Sequence, residues 1–175
     1  MSNQIIFIGD SLTEWGNWEK LFPNKNIVNF GIAGEKTYEI LNRIEQIFEY
    51  NPSKIFLMMG INDLSENKSI SEIADNYWEL VNKITQKWNN VELHLLSILP
   101  IDFNRWKKTG LTPTNINAVN EIIKDIANDY NAKYLNIAPS FADKSGYLNN
   151  TFTTDGLHLS KDGYEVWKKE IENYI

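Results

Sequence analysis

Short apolar runs rich in β-branched residues alternate along this chain with longer segments whose apolar positions recur every three or four residues. Ile5-Ile6-Phe7-Ile8 is stopped by Gly9, Ile27-Val28-Asn29-Phe30 by Gly31, and Ile55-Phe56-Leu57-Met58-Met59 by Gly60. Brief apolar runs bounded by glycine are those of strands covered on both faces. Residues 91–99, ended by Pro100, and Tyr134-Leu135-Asn136-Ile137 complete a set of five. The helical segments between them carry their own boundary signals. From Thr37, the stripe Ile40, Leu41, Ile44, Ile47 and Phe48 runs until Pro52 ends it. Ser69-Ile70-Ser71-Glu72 has the form of a capping box, followed by Ile73, Tyr77, Leu80, Val81, Ile84 and Trp88 on one face. Thr112-Pro113 reads as an N-cap with proline at the first helical position, opening a helix through Ile116, Val119, Ile123, Ile126 and Tyr130. Ser160 caps a last helix that turns Tyr164, Trp167, Ile171 and Tyr174 inward. Five strands alternating with four helices predict an α/β fold, a parallel sheet covered on both faces. Ligands bind such sheets outside the carboxyl ends of the strands, which selects the places to search.

Composition narrows the function classes. The chain of 175 residues has no repeat, low-complexity tract or linker, so a single domain over 1–175 is expected. It has no cysteine, which excludes a thiolate nucleophile, a disulfide scaffold and a Cys-ligated metal. Seventeen basic against 23 acidic residues leave a net charge of −6, a poor footprint for nucleic acid or an anionic membrane. No apolar run approaches the ~20 residues that span a bilayer. Met1-Ser2-Asn3-Gln4 lacks the basic region of a signal peptide, so a cytoplasmic location is expected. Monomer and homodimer both stay open.

Four strand ends carry candidate chemistry. After the first run, Gly9-Asp10-Ser11-Leu12 sets a hydroxyl at the sheet edge; Ser11 there is equally a helix cap. After the second, Gly34 lets a backbone N–H approach a substrate, or is a plain loop glycine. After the third, Asn62 of Gly60-Ile61-Asn62-Asp63 offers an amide donor to a developing oxyanion, or forms a turn with Asp63. His158 lies three residues after Asp155 across a turn containing Gly156, a spacing that lets the carboxylate hold Nδ1–H and leave Nε2 as a base. The other histidine, His94, falls inside residues 91–99 and reads as a hydrogen-bonded strand residue. Nucleophile, backbone donor, amide donor and Asp–His pair together describe acyl transfer.

With these four segments in order, the sequence resembles the GDSL/SGNH hydrolase family of serine esterases and lipases. Gly9-Asp10-Ser11-Leu12, Gly31-Ile32-Ala33-Gly34, Gly60-Ile61-Asn62-Asp63 and Asp155-Gly156-Leu157-His158 match its four blocks. The resemblance implies a flavodoxin-like three-layer α/β/α sandwich with a five-stranded parallel sheet. It implies Ser11 as nucleophile, His158 as base and Asp155 as its orienting acid. The oxyanion hole would come from the Ser11 and Gly34 N–H groups and the Asn62 side chain, with neither metal nor organic cofactor. The nucleophile does not sit in a Gly-x-Ser-x-Gly elbow, which separates the chain from the α/β-hydrolases.

The expected substrate is a small-molecule ester with a short acyl group. Chains of this size and pattern resemble the platelet-activating-factor acetylhydrolase-like and carbohydrate O-acetylesterase-like branches of the family. The loop 101–111 should border the site, and its Arg105 and Trp106 could seat a sugar ring bearing an anionic group; a solvated loop is the alternative. Trp15 and Trp18 read either as walls of the acyl pocket or as core. Other readings to be tested are a lysophospholipase or thioesterase of the same family, a non-catalytic nucleotide- or glycan-binding module, and a metal-dependent hydrolase built on Asp10, Asp63 and His158.

Overall fold

The computed structural model of the chain describes residues 4–175. Its elements run β1 (Gln4–Gly9), α1 (Ser11–Glu14), α2 (Trp18–Leu21), β2 (Asn26–Gly31), α3 (Thr37–Arg43), β3 (Lys54–Met58), α4 (Ile61–Ser65), α5 (Ile70–Lys87), β4 (Glu92–Leu96), α6 (Pro113–Asp129), β5 (Lys133–Leu135) and α7 (Lys161–Ile171). The five strands form one sheet in the order β2-β1-β3-β4-β5, every pair parallel. From β1 the chain winds outward to β2, then crosses back to β3 and continues the other way. That reversal between β1 and β3 is the switch point at which doubly wound sheets open a crevice.

Alternate side chains along each strand feed two separate cores. Ile6, Ile8, Ile55, Leu57, Leu93 and Leu95 pack against α3, α4, α5 and α6. Ile5, Phe7, Phe56, Met58 and Leu96 pack on the opposite face against α1, α2 and α7, where Trp18 meets Phe7 and Trp167 edge to face. The result is the expected three-layer sandwich. Leu57, fully buried in the central strand, is a sensitive probe of it. Leu57→Ala is expected to cost roughly 2–5 kcal/mol, read as a lower urea midpoint at unchanged slope.

Three local expectations are corrected. The helix expected from Thr37 to Phe48 tightens after Arg43 into a 3₁₀ segment, Ile44–Glu49. The strand expected over 91–99 ends at Leu96. Beyond it Ile98 donates to Asn120 Oδ1 at 2.7 Å and accepts from Asn120 Nδ2 at 3.1 Å, so a side chain of α6 replaces a neighbouring strand. His94 is buried in β4 between Phe56, stacked at 4.3 Å, and Tyr174. Among the described residues, neither of its ring nitrogens forms a hydrogen bond of ordinary geometry, although Glu92 Oε1 lies 3.3 Å from Nε2. Burial pushes its pKa down to about 4, so the ring is neutral at pH 7.

Candidate active site

The site lies at the carboxyl ends of β1 and β3. At Asp10 the chain leaves β1 and turns into α1; the Asp10 carboxylate caps this helix by accepting from Leu12 N at 3.0 Å. Tyr164 on α7 donates to Leu12 O at 2.8 Å and ties α1 down. Ser11, the first residue of α1, is thereby held at the sheet edge, largely buried. Burial raises the Asp10 carboxyl to about 7, opposed by the Leu12 N–H and reinforced by the charges of Asp63 and Glu35. A carboxyl raised on folding ionises more easily in the unfolded chain. Its contribution to stability is therefore full below its unfolded value of 3.8 and is lost as pH climbs through about 7. Asp10→Asn keeps an oxygen acceptor for Leu12 N. It is expected to flatten the fall in Tm between pH 4 and 7 relative to wild type.

Opposite Ser11, the segment 153–158 is folded by its own side chains. Thr153 Oγ1 accepts from Gly156 N and donates to His158 O, both at 2.8 Å. Asp155 Oδ1 accepts from the backbone N–H groups of Leu157 and His158 at 2.9 and 2.8 Å. Gly156 has φ +95°, and a Cβ there would come within 3.0 Å of Asp102 Cβ and Arg105 Cδ, so glycine is needed for conformation and space alike. With Oδ1 committed to backbone, Asp155 Oδ2 faces His158 Nδ1 at 2.6 Å. His158 Nε2 in turn lies 3.1 Å from Ser11 Oγ. Burial pushes the Asp155 carboxyl up, but the hydrogen bonds from the His158 ring and the Leu157 and His158 N–H groups outweigh it and hold the carboxyl below its ordinary value. An ionised Asp155 selects the Nδ1–H tautomer and leaves Nε2 free to accept from Ser11.

Gly34 and Asn62 are brought to the same edge. Gly34 has φ +79° with open space where a Cβ would stand, so its backbone conformation, and not crowding, requires glycine. The loop around it is stapled at four points. Ala33 N donates to Glu14 Oε2 at 3.1 Å, and Asn62 Nδ2 donates to Glu35 O at 3.0 Å. The Glu35 carboxylate pairs with Arg43. Asp63, read from the sequence as the turn partner of Asn62, instead accepts from Thr37 N at 3.0 Å and Thr37 Oγ1 at 2.6 Å. Burial raises the Asp63 carboxyl, against the Thr37 hydroxyl and N–H. Glu14, Thr37 and Arg43 carry no site signal in the sequence, and the loop-holding role of Asp63 carries none either. Their partners lie 8 to 26 positions away, beyond any local pattern.

The sequence pattern of the GDSL-like lipase/acylhydrolase family matches residues 7–166. The chain belongs to this family. Human platelet-activating factor acetylhydrolase IB subunit alpha1 is 25% identical over 168 residues, covering 92% of this chain and 70% of the relative. An N-acylneuraminate cytidylyltransferase of Escherichia coli is 28% identical, covering 99% of this chain and 40% of the relative. A Streptococcus pneumoniae structure, provisionally assigned as a platelet activating factor, superimposes with a TM-score of 0.90. It is 29% identical and covers 99% of this chain and 84% of that one. As a GDSL-like acylhydrolase, the protein is a carboxylic ester hydrolase.

Around the triad-like line of this GDSL-like acylhydrolase stands an aromatic rim. Trp15 and Trp18, paired in the sequence reading, part company. Trp18 is core and donates to Thr13 O at 2.8 Å, whereas Trp15 is 53% exposed and lies over the His158 ring at 4.2 Å. Trp106 presents its edge to His158 at 6.2 Å, and its indole N–H donates to Asp155 O at 3.0 Å. Arg105 packs against Gly156 and pairs with Asp102 at 3.2 Å, its side chain half exposed. Asp10, Asp63 and His158 are occupied separately, as cap, loop staple and partner of Ser11. Among the described residues, no three His, Asp or Glu side chains gather as a metal site. No helix of the described residues is long and apolar enough to cross a membrane.

Proposed function

We propose that this acylhydrolase cleaves short-chain acyl esters, above all acetyl esters carried by a carbohydrate, by way of an acyl-enzyme on Ser11. The observation that carries this reading is the unbroken line from Ser11 Oγ through His158 to Asp155, with contacts of 3.1 and 2.6 Å. Ser11 Oγ attacks the ester carbonyl carbon as its proton passes to His158 Nε2, and Asp155 stabilises the imidazolium. The backbone N–H groups of Ser11 and Gly34 and the amide of Asn62 receive the oxyanion. The C–O bond breaks as His158 returns the proton to the departing alkoxide. Water then gives a proton to His158 and attacks the acyl carbon, releasing the acid and restoring Ser11.

Two observations support a short acyl group on a sugar. The small cavity against the turn that flanks Ser11, lined by Asp10, Leu12, Met59, Ile98 and Leu157, measures only about 10 Å³ and leaves little room there for a long acyl chain. The human relative is by name an acetylhydrolase, and the E. coli relative by name handles an acidic sugar. Arg105 stands beside segment 153–158, where its guanidinium can meet a sugar carboxylate. The test is hydrolysis of p-nitrophenyl esters from acetate to decanoate, with turnover expected to fall steeply beyond acetate. Turnover rising with chain length would transfer the assignment to lysophospholipids or acyl thioesters. No turnover by folded protein would transfer it to a nucleotide- or glycan-binding module.

A further inference from the structure

Isolated exposed apolar side chains are ordinary. Trp15 is unusual in being both exposed and held. Its indole Nε1–H donates to Glu14 Oε2 at 3.1 Å, and its ring lies tilted by 33° over His158. The same Glu14 oxygen accepts from Ala33 N at 3.1 Å, which joins Trp15 to the loop carrying Gly34 and the exposed Ile32. A fixed indole face thus stands on the rim of the site, between the Ser11–His158 pair and solvent.

Beside it opens a cleft of about 420 Å³ lined by Trp15, Asn17, Trp18, Glu19, Ile27 and Asn29. That size falls in the range of small-ligand sites. Asn29 is fully used by backbone, donating to Thr13 O and Glu14 O and accepting from Gly31 N. Asn17 uses only its Oδ1, as a helix cap. Among the described residues, the Glu19 carboxylate and the Asn17 amide N–H₂ have no hydrogen-bond partner, and no Lys or Arg lines the cleft.

We propose that Trp15 is a specificity-determining residue whose exposed indole face carries the alcohol part of the ester, a sugar ring. The inference rests on the esterase reading above for what happens at Ser11, and names the substrate class of the same site. A pyranose has a C–H face that packs on an indole and hydroxyls around its edge that suit a carboxylate and an amide. An alkyl chain would cover the indole but strip water from Asn17 and Glu19 with nothing in return. An anionic group placed in this cleft would meet the Glu19 carboxylate, which assigns any carboxylate of the sugar to the Arg105 side.

Binding of an O-acetylated methyl glycoside to Ser11→Ala protein, followed by calorimetry, reads the platform without turnover. Adding Trp15→Ala is expected to raise Kd about tenfold, about 1.4 kcal/mol, and Trp15→Phe to raise it less than about threefold. In the protein with Ser11 intact, Trp15→Ala should lower the ratio of kcat/KM for the glycoside to that for ethyl acetate by a similar factor. An unchanged Kd overturns the proposal. So does an equal fall on both substrates, which would make Trp15 a mere prop for His158, or a loss confined to long-chain alkyl acetates. Trp15-dependent binding with no ester hydrolysed would instead overturn the esterase reading and leave Trp15 as a glycan contact.

Discussion

Ser11→Ala is expected to lower kcat for p-nitrophenyl acetate by about 10⁴-fold or more, with a Tm close to wild type. The size of the effect follows from what the hydroxyl does in the proposed cycle. Without Oγ no acyl-enzyme forms, and only direct attack by water in a polarising site remains, which in serine hydrolases leaves about 10³–10⁴ over the uncatalysed rate. The fold should tolerate the change, because α1 is capped by Asp10 and anchored by Tyr164, not by the serine side chain. His158→Ala should cost about as much, and the double variant little more, since groups acting on one proton are not additive. Near wild-type turnover by Ser11→Ala would remove the serine mechanism altogether.

Asn62→Ala is expected to lower kcat by about 10²–10³-fold with a smaller change in KM, the usual cost of one oxyanion donor. Asn62 Nδ2 carries two hydrogens. One is spent on Glu35 O at 3.0 Å, which fixes the direction of the other. Truncation removes the free donor and also one staple of the Gly34 loop. Asn62→Asp separates the two roles. It keeps the size of the side chain but loses both hydrogens, and its charge would repel an oxyanion, so its kcat should be at least as low as that of Asn62→Ala. A rise in KM at constant kcat in either variant would make Asn62 a ground-state binder.

The parts of the site that were legible in the sequence are those whose signals are local. Asp155 and His158 are three residues apart, and their pairing needs only the turn at Gly156, which the chain spells out. Ser11, Gly34 and Asn62 each follow a glycine-stopped strand, and parallel topology delivers all such ends to one edge. The support of that site rests on partners distant in sequence. Asp63 looked like a turn residue because its partner, Thr37, is 26 positions away. The apolar run continues past the end of β4 because Asn120, 22 positions on from Ile98, takes the hydrogen bonds that a further strand would make. Trp15 and Trp18 are three residues apart and chemically identical, yet one is core and the other is the rim of the site.

The order of short buried strands and striped helices determined by itself that this chain forms a parallel sheet with its candidate chemistry at one edge. Strand length, glycine stops and helical period act over a few residues, and burial on both faces leaves few other arrangements. Only the tertiary structure decided the 3.1 Å approach of Ser11 to His158, the stapling of the Gly34 loop and the exposure of Trp15. Each of these depends on where side chains far apart in sequence come to rest once the two cores are packed, and close packing, not local preference, sets those positions.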